Sequence, residues 1–172
     1  MNKPKINAAI VNKLASSDTA TIVAAIQSLK NTGNKDYLPL IFDLLSTVSD
    51  VEVKKEILAL LSSVKDKSSI PVFIEALKDE KYRMVRKDLL TSCWQNGMDY
   101  SAHISDFINI IVADEWELAF EAFTVIENLK YFPEAEQQKE LRRTVAEALK
   151  TVDEPKRYFL EEIMGILANK KE

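Results

Sequence analysis

Few residues in this chain have types and spacings that could do chemistry. The single cysteine, Cys93, could act as a nucleophile, but a reactive thiol needs an accessible, electropositive setting. Cys93 falls at the apolar phase occupied elsewhere by Leu29 and Leu61, and reads as a small buried hydrophobe. The single histidine, His103, has Asp99 and Asp106 near it in sequence, yet no nucleophile stands in reach for it to serve as general base. It reads as a solvated histidine near a helix N-terminus. Asp114, Glu115 and Glu117 surround Trp116. Such carboxylates can share a proton or hold a metal; here they open a helix, where negative charge complements the dipole. Trp94 and Trp116 read as packing residues. With one cysteine and one histidine, neither a cysteine-based nor a multi-histidine metal site can be built from this sequence. We therefore expect no catalytic residue, no cofactor and no metal, and a protein that is not an enzyme.

A different pattern carries more information. Asp50 to Lys81 reads as two amphipathic helices joined by a polar turn, and related stretches lie before and after it. Shifted by 32 residues, Asp18 falls on Asp50, Ile26 on Leu58, Leu29 on Leu61, Leu38 on Ile70, Pro39 on Pro71, Ile41 on Phe73 and Leu45 on Leu77. Shifted again, Val53-Lys54-Lys55 falls on Val85-Arg86-Lys87, Leu58 on Leu90 and Leu61 on Cys93. After Gln95-Asn96-Gly97 the shift becomes 34, with Ile70 on Ile104, Phe73 on Phe107 and Leu77 on Ile111. That period suits two-helix solenoid units, each of which buries its apolar face only by stacking on its neighbours. Only 3 glycines and 5 prolines, with 47% hydrophobic and 29% charged residues, agree with a soluble helical chain. Pro39 and Pro71 fall in the first turns of second helices, where a missing N–H costs nothing. Gly33, in the turn Asn31-Thr32-Gly33-Asn34, suits the left-handed conformation common just past a helix. No period-two stretch is long enough to be a strand.

These units fall at about 18–49, 50–81, 82–113 and 114–151, within one domain spanning 1–172. End helices are expected at about 4–15, with Ile6, Ile10 and Leu14 in one stripe, and at 155–169, with Phe159, Ile163, Ile166 and Leu167. The second helix of the fourth unit is longer and more polar, with Leu141, Val145 and Leu149 on one side.

The residues Asp50, Val53-Lys54 and Leu58 to Leu61, followed by Ile70-Pro71 through Leu77, resemble a HEAT repeat of the short bacterial type. Tyr82-Arg83-Met84-Val85-Arg86 follows the same design, and the likeness covers about residues 18–130. The resemblance implies an all-α fold, a right-handed α-solenoid of about four helical hairpins with capping helices at both ends. It also implies protein binding as the usual role, a minority of the family having become DNA glycosylases or bilin lyases.

In such a stack the second helices line the concave surface. Opposite their core stripe at 100° per residue lie Leu40 and Asp43, then Val72 and Glu75, then Asp106 and Asn109. These six are the candidate partner-binding residues, an apolar strip with acidic rungs suited to a basic or amphipathic segment. The expected function is a scaffold or adaptor. One alternative is a nucleic-acid binder or HEAT-like DNA-repair enzyme using Lys54, Lys55, Arg86 and Lys87. Against it, the net charge is -4, and glutamates and aspartates interleave the lysines, with pairs to Asp50 expected. Another alternative is a self-associating structural module. No stretch has the length of a membrane span or signal peptide, so the expected location is cytoplasmic. The partner and the oligomeric state are open at this level.

Overall fold

A computed structural model of the chain describes residues 6–32 and 35–169, with the backbone alone at residues 31, 32 and 169. The expectation for Gly33 falls outside the described residues. Among the described residues there are ten α-helices and no strand. The chain forms two compact units, residues 1–96 and 97–172.

The first unit holds α1 (Ala8–Leu14), α2 (Thr19–Thr32), α3 (Leu38–Thr47), α4 (Val51–Ser63), α5 (Ile70–Lys78) and α6 (Arg86–Asn96). First helices stack on first helices, α2 on α4 and α4 on α6, while the second helix α3 packs on α5. The starts are set by side-chain caps. Asp18 accepts from the Thr21 N–H at 2.8 Å, and Asp50 accepts from the N–H groups of Glu52 and Val53 at 2.9 and 3.1 Å. Pro39 and Pro71 sit in the first turns of α3 and α5. The i, i+3, i+4, i+7 stripes Leu38, Ile41, Phe42, Leu45 and Ile70, Phe73, Ile74, Leu77 are all buried. Burying one such side chain contributes about 1.5–3 kcal/mol. Phe42 meets Phe73 edge-on at 5.3 Å and Tyr82 at 5.8 Å, so the aromatic core is continuous from the first repeat to the start of the third.

The third repeat departs from the register at its start. Tyr82 stands where Asp18 and Asp50 cap their helices and has no carboxylate to offer. The chain compensates upstream. Asp79 accepts from the Lys81 N–H at 2.9 Å, residues Glu80–Val85 form a 3-10 turn, and the α-helix begins only at Arg86.

The second unit opens with Gly97 at φ +61°, a backbone conformation that favours glycine. It holds α7 (Ile104–Ala113), α8 (Trp116–Glu127), α9 (Ala135–Ala148) and α10 (Glu154–Asn169). α8 packs on α7 and on α10, and α10 also packs on α9. Of the expected stripe on α9 only Val145 is fully buried; Leu141 and Leu149 are half-buried. On α10 the buried set is Phe159, Leu160, Ile163 and Leu167, with Ile166 half-buried. Lys156, 9% exposed, runs its ammonium to the carbonyls of Val112 at 2.9 Å and Asp114 at 3.1 Å. A cation there satisfies carbonyls that the end of α7 leaves without helical donors.

Candidate partner-binding groove

Between α3 and α5 in the first unit runs an open groove of about 570 Å3. Its walls are Pro39, Phe42, Pro71, Val72, Ala76 and Tyr82, with Glu75, Lys78 and Asp79 at the rim. The local sequence explains the hollow. Proline rings are short and stand at the head of each helix, and Ala76 adds little bulk, while Phe42, 1% exposed, forms a rigid floor locked by Phe73 and Tyr82.

Beside the groove lies a polar cluster joining the first repeat to the third. The Tyr82 hydroxyl donates to Asp43 Oδ1 at 2.6 Å, and Lys81 Nζ reaches the same oxygen at 2.5 Å. The Lys81 ammonium also lies 5.2 Å from the Tyr82 ring centroid, within cation–π range. Burial works to raise the Asp43 pKa, but the hydrogen bonds from Lys81 and Tyr82 and the lysine charge outweigh it, and the carboxyl is held below its ordinary value. The Tyr82 phenol is pushed up, first by burial and then by the neighbouring carboxylate. Lys81 is pushed up by its hydrogen bond to Asp43.

Of the six candidate residues, Val72 and Glu75 line the groove together. Asp43 joins it through Tyr82, which both lines the groove and holds the carboxylate. Leu40 is half-buried on α3 and does not line the groove. Asp106 and Asn109 belong to the second unit. Asp106 Oδ2 is 3.1 Å from His103 Nδ1, and Asn109 is exposed. Sequence reasoning did not single out Phe42 or Tyr82 as site residues. A signal for Tyr82 exists: it is the aromatic residue at the phase where the earlier repeats carry a capping aspartate.

The residues weighed for other chemistry are accounted for locally. Cys93 is 1% exposed. Glu115 stands at the N-cap of α8 and Glu117 in its first turn. The lysine strip is interrupted, since Lys54 pairs with Asp88 at 2.9 Å and Arg86 is buried with its guanidinium 3.2 Å from Glu80. The expected pairs to Asp50 take another form. Its second oxygen accepts from the Thr19 hydroxyl at 2.7 Å, and ion pairs between the first helices of adjacent repeats include Lys30–Glu56 and Lys54–Asp88. Two N–H bonds from its own helix already fix the Asp50 carboxylate, and the short threonine reaches its free oxygen. Among the described residues no group of three or more His, Cys, Asp or Glu side chains is placed to hold a metal ion. Among them too, no helix is long and apolar enough to cross a membrane.

The stacked hairpins of the first unit, capped by aspartates and opened by prolines in their second helices, define an array of helical repeats. The family model for HEAT repeats matches residues 7–92, half of the chain. The chain belongs to the HEAT-repeat family, whose members are in general non-enzymatic and commonly serve as protein-interaction scaffolds. No curated protein matches it.

Proposed function

We propose that this protein is a non-catalytic scaffold or adaptor that holds a segment of a partner protein in the groove between α3 and α5. The observation that carries the reading is the groove itself: an apolar lining of Phe42, Val72 and two prolines, with the Glu75 and Asp79 carboxylates among its residues. Specific interfaces pair such an apolar centre with a polar margin. The carboxylates favour a partner segment with basic residues among apolar ones, although Lys78 shares the rim. Asp43 contributes by fixing Tyr82, and not as an unengaged rung. A nucleic-acid partner has less support, because Lys54 and Arg86 already face carboxylates. A reducing compartment such as the cytoplasm suits a chain whose single cysteine is a buried thiol.

The test is affinity capture from native lysate with the wild-type chain and with Val72→Asp/Glu75→Lys. Both positions are at least partly open to solvent, so the variant is expected to keep the wild-type unfolding midpoint and to lose the captured partner. Undiminished capture by a folded double variant removes this groove as the binding site.

A further inference from the structure

The second unit carries a surface that this reading does not use. Trp116, Phe120 and Tyr158 are 51%, 43% and 59% exposed, and they belong to one cluster of rings on α8 and α10. Trp116 stacks on Phe120 at 5.5 Å with planes 14° apart. Both rings touch Phe159, at 6.0 and 6.1 Å, and Tyr158 meets it edge-on at 6.0 Å. Phe159 is buried and stacked on Phe123 at 5.1 Å. The base of the cluster is therefore locked into the core while its top is open. Single exposed apolar residues are ordinary on a soluble protein, but contiguous aromatic patches mark interaction sites. Rings already held by their neighbours lose little conformational entropy when something docks on them.

The charge around the rings indicates what docks. Residues 97–172 hold 16 Asp and Glu against 9 Lys and Arg, a formal charge of -7, while residues 1–96 hold 11 against 14. Glu115 and Glu117 flank Trp116, Glu121 follows Phe120, and Glu162 lies one turn beyond Tyr158. The cations in the same stretch are already engaged. Lys156 is buried against two carbonyls, and Arg157 donates to the Leu149 carbonyl at 2.9 Å and faces Glu154 and Glu161. We propose that the α8–α10 aromatic face is a second docking surface, and that its occupant is an arginine-bearing segment of another protein. A guanidinium can stack on the open faces of Trp116 and Tyr158 and at the same time pair with a carboxylate at the rim, which an ammonium does less well. Two copies of this face brought together would set glutamates against glutamates, so self-pairing is disfavoured.

The experiment uses the full chain and a labelled peptide alternating arginine with leucine, followed by fluorescence anisotropy. Two counterparts carry lysine or glutamate in place of arginine. The expected order of affinity is arginine above lysine, with no binding of the glutamate peptide and weakening as salt is raised. Trp116→Ala/Tyr158→Ala is expected to lose about tenfold or more in affinity. Tyr158→Ser alone, at the most exposed ring of this cluster, gives the same direction in a variant that leaves the buried base intact. Glu75→Lys, in the first unit, removes any share of the peptide held by the α3–α5 groove, and is expected to leave in place the arginine-over-lysine order and the loss caused by Trp116→Ala/Tyr158→Ala, which separates the two surfaces. The proposal is overturned if the arginine peptide does not bind, or if Glu75→Lys abolishes binding while the folded Trp116 and Tyr158 variants retain it. It is also overturned if light scattering shows dimers that Tyr158→Ser dissolves, because a second copy is then the occupant.

Discussion

Tyr82→Phe removes one oxygen from the first unit and leaves the groove wall its ring. That oxygen donates to Asp43 at 2.6 Å across 39 residues of sequence. A hydrogen bond to a charged partner contributes about 1.5–3 kcal/mol when both groups are dry, and an exposed pair about 0–1 kcal/mol. Here the tyrosine is 7% exposed but the Asp43 side chain is 44% exposed, and Lys81 stays beside the carboxylate in the variant. The expected loss is therefore about 1 kcal/mol, which displaces a urea midpoint by roughly 0.3–1 M at the usual sensitivity of small domains. A double-mutant cycle with Asp43→Ala, which removes the acceptor, should return most of that loss as coupling. The acid limb adds a second reading. Because the folded pKa of Asp43 is lowered, the unfolded chain binds the proton more readily. Its contribution is present above the unfolded value near 4 and is lost as pH falls through the folded value. Asp18, Asp50, Glu56 and Asp66 are lowered too, so only the difference between variant and wild type isolates this site. Tyr82→Phe should flatten the acid limb below pH 4 relative to wild type. An unchanged urea midpoint at neutral pH, with superimposable acid limbs, would refute the role given to this cluster.

Three further predictions concern the frame. Phe73→Ala, at 0% exposure and edge-on to Phe42, should cost about 3–5 kcal/mol in chemical denaturation; a midpoint within error of wild type would contradict its place in the core. Asp50→Ala should lower the chemical-denaturation midpoint by removing the α4 cap and the Thr19 contact together, and Thr19→Val should add little in that background; additive losses would show that the two are uncoupled. Lys156→Met keeps the length of the side chain but deprives the Val112 and Asp114 carbonyls of their donor, and should cost about 1–3 kcal/mol; a neutral or stabilising result would mean that water serves those carbonyls equally well.

The repeat was legible in the sequence because its determinants are local. In the first two repeats each helix start depends on a residue such as Asp50 or Pro71 acting within its own first turn, and each apolar stripe on spacing along one helix. These features recur at a fixed period, so one good copy reveals the others. Where a local determinant is missing, as at Tyr82, the register still matches while the boundary moves. The 3-10 turn at Glu80–Val85 replaces what aspartate provides in the earlier repeats.

The candidate surfaces were legible only in part. The face of α5 carrying Val72 and Glu75 follows from helical phase, and both residues line the groove. That Asp43 is engaged by Lys81 and Tyr82 does not follow from any pattern within a helix, because those side chains come from the end of the second repeat and the start of the third. The same holds for the rings of α8 and α10. Trp116 reads from the sequence as a packing residue, but whether its ring and that of Phe120, one turn on, are covered depends on what α10 lays beside them. The amino-acid sequence alone thus determined the helices, their caps and their buried stripes, since these are set by interactions within about one turn. Only the tertiary structure decided which polar and aromatic groups meet across helices, and which rings are left open, since those depend on distances between segments far apart in the chain.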